Sequence, residues 1–310
     1  MKIVLQYRAS EGFRSQIGED VTHPVAIVDE TDDAAFAREM TDAEVLWHVL
    51  KPVTAEVMAA APRLKLIQKL GVGVNTIDLE AAKARGIAVA NMPGTNSAAV
   101  AEMALALMLA VLRRTLYFDE ITRRGEGWAP DPAVLDQTGE IGGRTVGLVG
   151  FGGSARRLAP VLTALGARVV YTARSAKAQA GFLPLEELLS VSDIVSLHAP
   201  LTDETAGMID AAALARMKSG AVLINTARGG LVDEAALVAA LRSGHLRGAG
   251  LDVFAVEPAA ADNPLFALPQ VVLAPHVSWL TPETLARSLV VARENVRRLE
   301  SGEGLVNRVV

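Results

Sequence analysis

The sequence predicts an α/β fold made of doubly wound parallel sheets. Three observations carry that expectation. Short apolar runs alternate with helical patterns, and the connections between them are short. The run Val146-Gly147-Leu148-Val149 leads straight into Gly150-Phe151-Gly152-Gly153-Ser154-Ala155, which is followed by a helical pattern and a second strand. With 310 residues, the chain is long enough for two domains with a core each.

Residues 3–5, 25–28 and 45–50 read as short strands with helical patterns between and after them. Thr54 caps a helix that Pro62 closes, and Leu64 to Leu70 is the next strand, ending in the glycine-rich loop Gly71-Val72-Gly73-Val74-Asn75. Asp78 caps a helix that stops at Gly86, and Ile87 to Asn91 is a further strand. After the turn at Pro93-Gly94, Ala98 to Arg114 is helical and apolar on nearly all faces, which places it between layers or between domains. We set a domain boundary there. Gly125 to Gly143 reads as irregular and exposed.

The second unit runs to about residue 275, with strands at Arg168–Tyr171, Asp193–His198, Ala221–Asn225, Gly248–Val253 and Val271–Ala274. Thr281 and Pro282 open a final helix whose apolar stripe is Leu285, Leu289, Ala292, Val296 and Leu299, and Gly302 stops it. Pro160 conflicts locally with the helix after the glycines and is expected to kink it near Arg156.

Composition excludes several function classes. The hydrophobic share is 51%, the charged share 21% and the net charge −5, so nucleic acid is not an expected partner. There is no cysteine, which removes disulfides, thiolate catalysis and Cys-ligated metals. No His, Asp and Glu fall at metal-ligand spacing. The first residues read as a strand rather than a signal peptide, and no apolar stretch is long enough to span a bilayer; a cytoplasmic protein is expected.

The glycine sequence is the G-x-G-x-x-A form of a dinucleotide fingerprint. Gly150 allows the tight turn, Gly152 lets the backbone approach a pyrophosphate, and Ala155 lets the helix lie against the strand. The helix N-terminus then faces the phosphates with free N–H groups.

Three charged or titratable residues lie at strand C-terminal ends, where open α/β sheets hold ligands. These are Arg228, Glu257 and His276. Arg offers a planar fork to a carboxylate, His moves a proton at a hydroxyl oxygen, and a nearby Glu holds the imidazolium. Such a set suits reduction of a 2-keto acid. Each has a plainer alternative: a solvated arginine, a turn-capping glutamate, a loop histidine. His198 is expected to be structural.

Taken together, these segments resemble the D-isomer-specific 2-hydroxyacid dehydrogenase family over about residues 45–285. The resemblance rests on Gly71 to Asp78, Asn91-Met92-Pro93-Gly94, Val100-Ala101-Glu102, Val149 to Gly152, His198 to Thr202 and Asn225 to Gly230. It ends in the series Asp252, Glu257-Pro258 and Pro275-His276. It implies two doubly wound parallel-sheet domains. A substrate domain is formed by 1–98 and 276–310, and a Rossmann cofactor domain, 99–275, is inserted into it. It also implies catalytic roles for Arg228, Glu257 and His276, substrate carboxylate binding by the N–H groups of Val72 and Gly73, and a nicotinamide contact for Asp252. Thr226 falls among the cofactor-binding positions, and a homodimer is implied. Trp279 resembles the tryptophan of glyoxylate and hydroxypyruvate reductases. With no regulatory domain after residue 310, a long phosphoglycerate dehydrogenase is a poorer match; a short one using NAD, and an NAD(H)-sensing binding protein, stay open.

The end of the second strand of the cofactor unit points to NADP(H) over NAD(H), with NAD(H) use still open. An NAD site places Asp or Glu there to accept from the ribose hydroxyls. Here Thr172-Ala173-Arg174-Ser175 has Ala173 at that place, with Arg174 next to it as a phosphate partner and Ser175 and Thr172 as hydroxyl donors.

Overall fold

The computed structural model describes residues 1–18, 22–176 and 180–310. The chain forms two compact units, Met1–Asn96 with Leu280–Val310, and Ser97–Trp279.

In the first unit the order is β1 (Ile3–Gln6), α1 (Glu11–Gly18), β2 (Val25–Val28), α2 (Asp33–Met40), β3 (Val45–His48), α3 (Ala55–Ala59), β4 (Leu66–Lys69), α4 (Leu79–Ala84) and β5 (Ala88–Ala90). All strand pairs are parallel and the sheet order is β2-β1-β3-β4-β5. Residues of β3 and β4 are buried throughout, as expected of strands covered on both faces. The helices start where the sequence offers an acceptor. The Thr54 hydroxyl takes the Val57 N–H, and the Asp78 carboxylate takes the Ala81 N–H.

The second unit opens with α5 (Ser97–Arg113), α6 (Thr115–Arg123) and the one-turn α7 (Pro132–Leu135). Neither α6 nor α7 is predicted from the sequence; Arg114 breaks the long helix with a φ of 51°. There follow β6 (Thr145–Val149), α8 (Gly153–Ala164), β7 (Arg168–Thr172), α9 (Leu185–Val191), β8 (Ile194–Leu197) and α10 (Ala211–Arg216). The unit ends with β9 (Ala221–Asn225), α11 (Glu234–Arg242), β10 (Leu246–Leu251) and β11 (Val271–Leu273). The parallel order is β11-β10-β9-β8-β6-β7, and Phe182 adds a single parallel bridge to Tyr171 beyond β7. Counted from β6, that is the Rossmann order with its third strand reduced to one bridge.

Helix α5 lies on β10, where a Cβ on Gly248 would sit 2.8 Å from Val111 Cγ1 and one on Gly250 the same distance from Leu107 Cβ. Two small residues in that strand therefore let the apolar helix seat closely. Pro160 lies inside α8 on its exposed side, and the helix continues through it to Ala164. The cost falls on the Arg156 carbonyl, which loses its in-helix donor.

The chain then returns to the first unit as α12 (Pro282–Ser301), capped by Thr281. Leu285, Leu289, Ala292 and Val296 are buried as predicted, with Leu299 half-buried at the edge. Buried Asn295 joins α12 to β4 by donating to Gln68 Oε1 at 2.6 Å, and it donates to the Val306 carbonyl at 3.0 Å. The unit boundaries fall at 96/97 and 279/280, not at 98/99 and 275/276. Residues 276–279 stay with the second unit because Asp252 holds their backbone.

Candidate active site

The glycine turn is built as its chemistry requires. Gly150 has a φ of +93°, and a Cβ there would lie 2.7 Å from His198 O and Ala199 N, so only glycine fits between β6 and the end of β8. At Gly152, by contrast, a Cβ would meet nothing within 4 Å, which leaves the backbone open before the start of α8. Ala155 is fully buried against the sheet. Phe151 stacks on Tyr171 with centroids 4.1 Å apart and ties the ends of β6 and β7 together.

His198 closes the back of the turn. Its Nδ1 lies 3.2 Å from Ser154 Oγ and its Nε2 2.9 Å from Ser196 Oγ. Burial pushes its pKa down to about 4, so it is a neutral brace, in line with its expected structural role. At the end of β7 Ala173 is half-buried, and Arg174 and Ser175 are exposed.

The ends of β9, β10 and β11 carry the charges. Asn225, the fully buried last residue of β9, donates to the Arg228 carbonyl at 2.9 Å and accepts the Ala227 N–H at 3.0 Å. It fixes the loop that presents Arg228. Gly229 has no room for a side chain, since a Cβ would fall 1.8 Å from Phe254 O. The Arg228 guanidinium donates to Ala227 O at 2.6 Å; burial lowers its pKa and the charge of Glu257 opposes that.

Glu257 accepts the Phe254 N–H at 3.0 Å on one oxygen and meets His276 Nδ1 at 2.6 Å on the other. Burial alone would raise its pKa. The hydrogen bonds from His276 and Phe254 N–H, and the charges of His276 and Arg228, outweigh burial and hold it below the usual carboxylate range. Glu257 therefore stays ionised beside the imidazole. With Nδ1 engaged, His276 has Nε2 left to meet a substrate.

His276 stands at a φ of 56°, a conformation its neighbours must impose. They do so through Asp252, which is fully buried. Its backbone carbonyl accepts the His276 N–H at 2.7 Å, and its carboxylate accepts the N–H groups of Val277 and Ser278 at 2.8 and 2.9 Å. The Trp279 indole N–H adds a bond to the His276 carbonyl at 3.2 Å.

For Asp252, expected at the nicotinamide, this geometry shows a positioning role. Its carboxylate is enclosed under the His276 turn, so it positions the histidine. Trp279 likewise braces that turn in this conformation. Asn225 is a functional residue that the sequence reading misses, although a polar residue closing an otherwise apolar strand is a signal that it does something. Thr226, expected at the cofactor, is buried and its hydroxyl has no partner among the described residues. Val72 and Gly73 lie in the first unit, and neither N–H donates within the described residues.

Open backbone at Gly152, the N-terminus of α8 and the unpartnered Thr226 hydroxyl fit a dinucleotide. Among the described residues no group of His, Asp and Glu is arranged to hold a metal. No helix among them is long and apolar enough to cross a membrane.

The family model for the D-isomer specific 2-hydroxyacid dehydrogenase, NAD binding domain, matches residues 105–278. The chain belongs to that family. It is 44% identical over 292 residues to D-3-phosphoglycerate dehydrogenase of Mycobacterium leprae, covering 92% of this chain and 52% of that protein. It thus spans about half the length of that relative. To glyoxylate reductase of Aeropyrum pernix it is 40% identical over 285 residues, with 87% of this chain and 84% of the relative covered. The TT0316 protein from Thermus thermophilus superposes with a TM-score of 0.90 at 40% identity over the whole of both chains. These relatives agree with the two parallel-sheet α/β units described above.

Proposed function

We propose that the protein is an oxidoreductase that reduces a small 2-keto acid of the glyoxylate or hydroxypyruvate type with NADP(H). The observation that carries this reading is the 2.6 Å contact of His276 with an ionised Glu257 at neighbouring strand ends. Kinship to glyoxylate reductases, at 40% identity over 285 residues, supports this substrate class. Kinship to phosphoglycerate dehydrogenases keeps a second reading, a short NAD-dependent enzyme of that kind.

Gly150, Gly152, Ala155, Thr226, Arg174 and Ser175 would hold the dinucleotide, which when bound supplies or accepts the hydride. The Arg228 fork binds the carboxylate and keto oxygen. Val72 and Gly73 N–H groups add to carboxylate binding. His276 Nε2 gives its proton to the oxygen as the keto carbon is reduced, and Glu257 stabilises the imidazolium until then. Asp252 and Asn225 hold these groups in place through backbone bonds.

We assign a second copy of the chain as its partner. Trp128 is 96% exposed and Leu116 and Leu135 are also exposed in the 97–140 region, which suits a homodimer. Trp128→Ala should shift sedimentation toward monomer.

The test of the reaction is a steady-state assay on a panel of 2-keto acids with NADPH and NADH. Turnover on glyoxylate or hydroxypyruvate is expected, and Glu257→Gln should move the descending limb of the pH profile for reduction to lower pH. Absence of turnover on every keto acid would favour a binding protein.

A further inference from the structure

At the opposite ends of the second unit's strands lies a group of arginines that the reaction does not use. Arg144 immediately precedes β6, Arg247 is the second residue of β10, and Arg114 ends the turn after α5. Strands of five or six residues at ~3.3 Å per residue put this group roughly 16 Å from the catalytic ends.

The guanidiniums of Arg144 and Arg247 meet over Gly139. A methyl on that glycine would lie 2.7 Å from Arg144 Nη2 and 3.4 Å from both terminal nitrogens of Arg247. Arg144 Nε is held by Glu140 O at 2.6 Å, and Arg114 Nη1 reaches Pro269 O at 3.4 Å. The Nε and Nη2 of Arg247 are buried without an acceptor among the described residues, as is the Nε of Arg114. None of the three forms an ion pair among the described residues; Glu140 is exposed, and only its backbone carbonyl meets Arg144. Burial and the like charges of Arg144 and Arg114 together lower the pKa of Arg247.

Buried guanidinium nitrogens without acceptors, beside two further cations, are costly and call for a missing counter-charge. We propose that Arg114, Arg144 and Arg247 form a binding site for a phosphate group, separate from the catalytic site. Phosphate suits the site better than a monocarboxylate. Two forks converge on one point, and a tetrahedral dianion offers acceptors to both while offsetting more of the charge. Gly139 leaves the space in which the forks approach.

Thermal unfolding in inorganic phosphate, against sodium chloride of equal ionic strength, tests this. Phosphate should raise the Tm of the unaltered protein by about 2–4 °C or more through mass action. Arg247→Met should lose that rise, melt at or above the unaltered protein in chloride, and keep its keto-acid kinetics. Arg228→Met should retain the rise, which separates this site from the catalytic arginine. If Arg247→Met does not fold, Arg144→Gln should show a reduced rise. Glycerol phosphate in place of phosphate distinguishes a phosphorylated metabolite, if it acts at lower concentration, from free phosphate; either supports the site. The proposal fails if phosphate has no effect beyond chloride, or if its effect survives Arg247→Met or disappears with Arg228→Met. It also fails if Arg247→Met dissociates a dimer that phosphate does not stabilise, since a second chain's carboxylate would then be the counter-charge.

Discussion

Two sets of strand ends in the same sheet are built in opposite ways. At β9, β10 and β11, every group that could do chemistry is wired to its own chain. Asn225 fixes the Arg228 loop, Asp252 holds the His276 turn, and Glu257 is held between the Phe254 N–H and the His276 ring. At β6 and β7 the turn is left open: Gly152 faces empty space and Arg174 is exposed. Proton transfer needs a geometry settled before the substrate arrives. A dinucleotide brings its own phosphates and hydroxyls, so its site can be completed by the ligand. The wired region should thus respond steeply to substitution and the open one gently.

His276→Ala is the severest way to break that contrast. It should lower kcat by about 10²–10⁴ while leaving cofactor affinity within about twofold, because only the proton donor is lost. Equilibrium titration with NADPH beside single-turnover kinetics checks both halves. A large loss of cofactor affinity would show that the two regions are not independent.

Arg228→Lys is next. The charge remains and the planar fork does not, so KM for the accepted keto acid should rise at least tenfold, the worth of a charged hydrogen bond of about 1.5–3 kcal/mol. An unchanged KM would remove Arg228 from substrate binding.

The difference between the regions also explains what is legible in the sequence. Strands, sheet class and the glycine turn follow from local pattern, since Gly150 and Ala155 are dictated by close backbone approach that no larger residue allows. Arg228, Glu257 and His276 are recognisable as residue types at strand ends. The part Asp252 plays in holding the His276 turn is not legible, because it depends on which backbone N–H groups fold over it, and residues 277 and 278 are 25 and 26 positions away. Helix α6 is hidden because Arg114 sits in a left-handed conformation that the sequence does not announce. The arginines at 114, 144 and 247 look like unrelated surface charges until the sheet collects them.

Arg174→Ala tests the open region. An exposed charge-assisted contact contributes about 1 kcal/mol, so KM for NADPH should rise roughly five- to tenfold and KM for NADH hardly at all. If the unaltered protein has equal or better kcat/KM with NADH, the NADP(H) reading is wrong.

The smallest effect belongs to His198, which braces the glycine turn through Ser154. Burial holds its pKa at about 4, whereas in the unfolded chain it titrates near the ordinary value of ~6.5. Between those values the unfolded chain binds the extra proton, so stability rises with pH there and is lost as pH falls from about 6.5 toward 4. His48 in the first unit, pushed to about 3 mainly by burial with help from Lys69, acts in the same sense and stays in the background. His198→Gln keeps a neutral polar side chain near Ser154 and Ser196 but cannot titrate. Its Tm should therefore fall less steeply between about pH 6.5 and 4.5 than that of the unaltered protein. The difference per pH unit is bounded by about 1.4 kcal/mol, or roughly 2–4 °C. Melting curves at a series of pH values give both slopes directly. Equal slopes would mean that His198 takes up its proton in the folded protein, with Ser154 and the turn it supports rearranging to admit the charge.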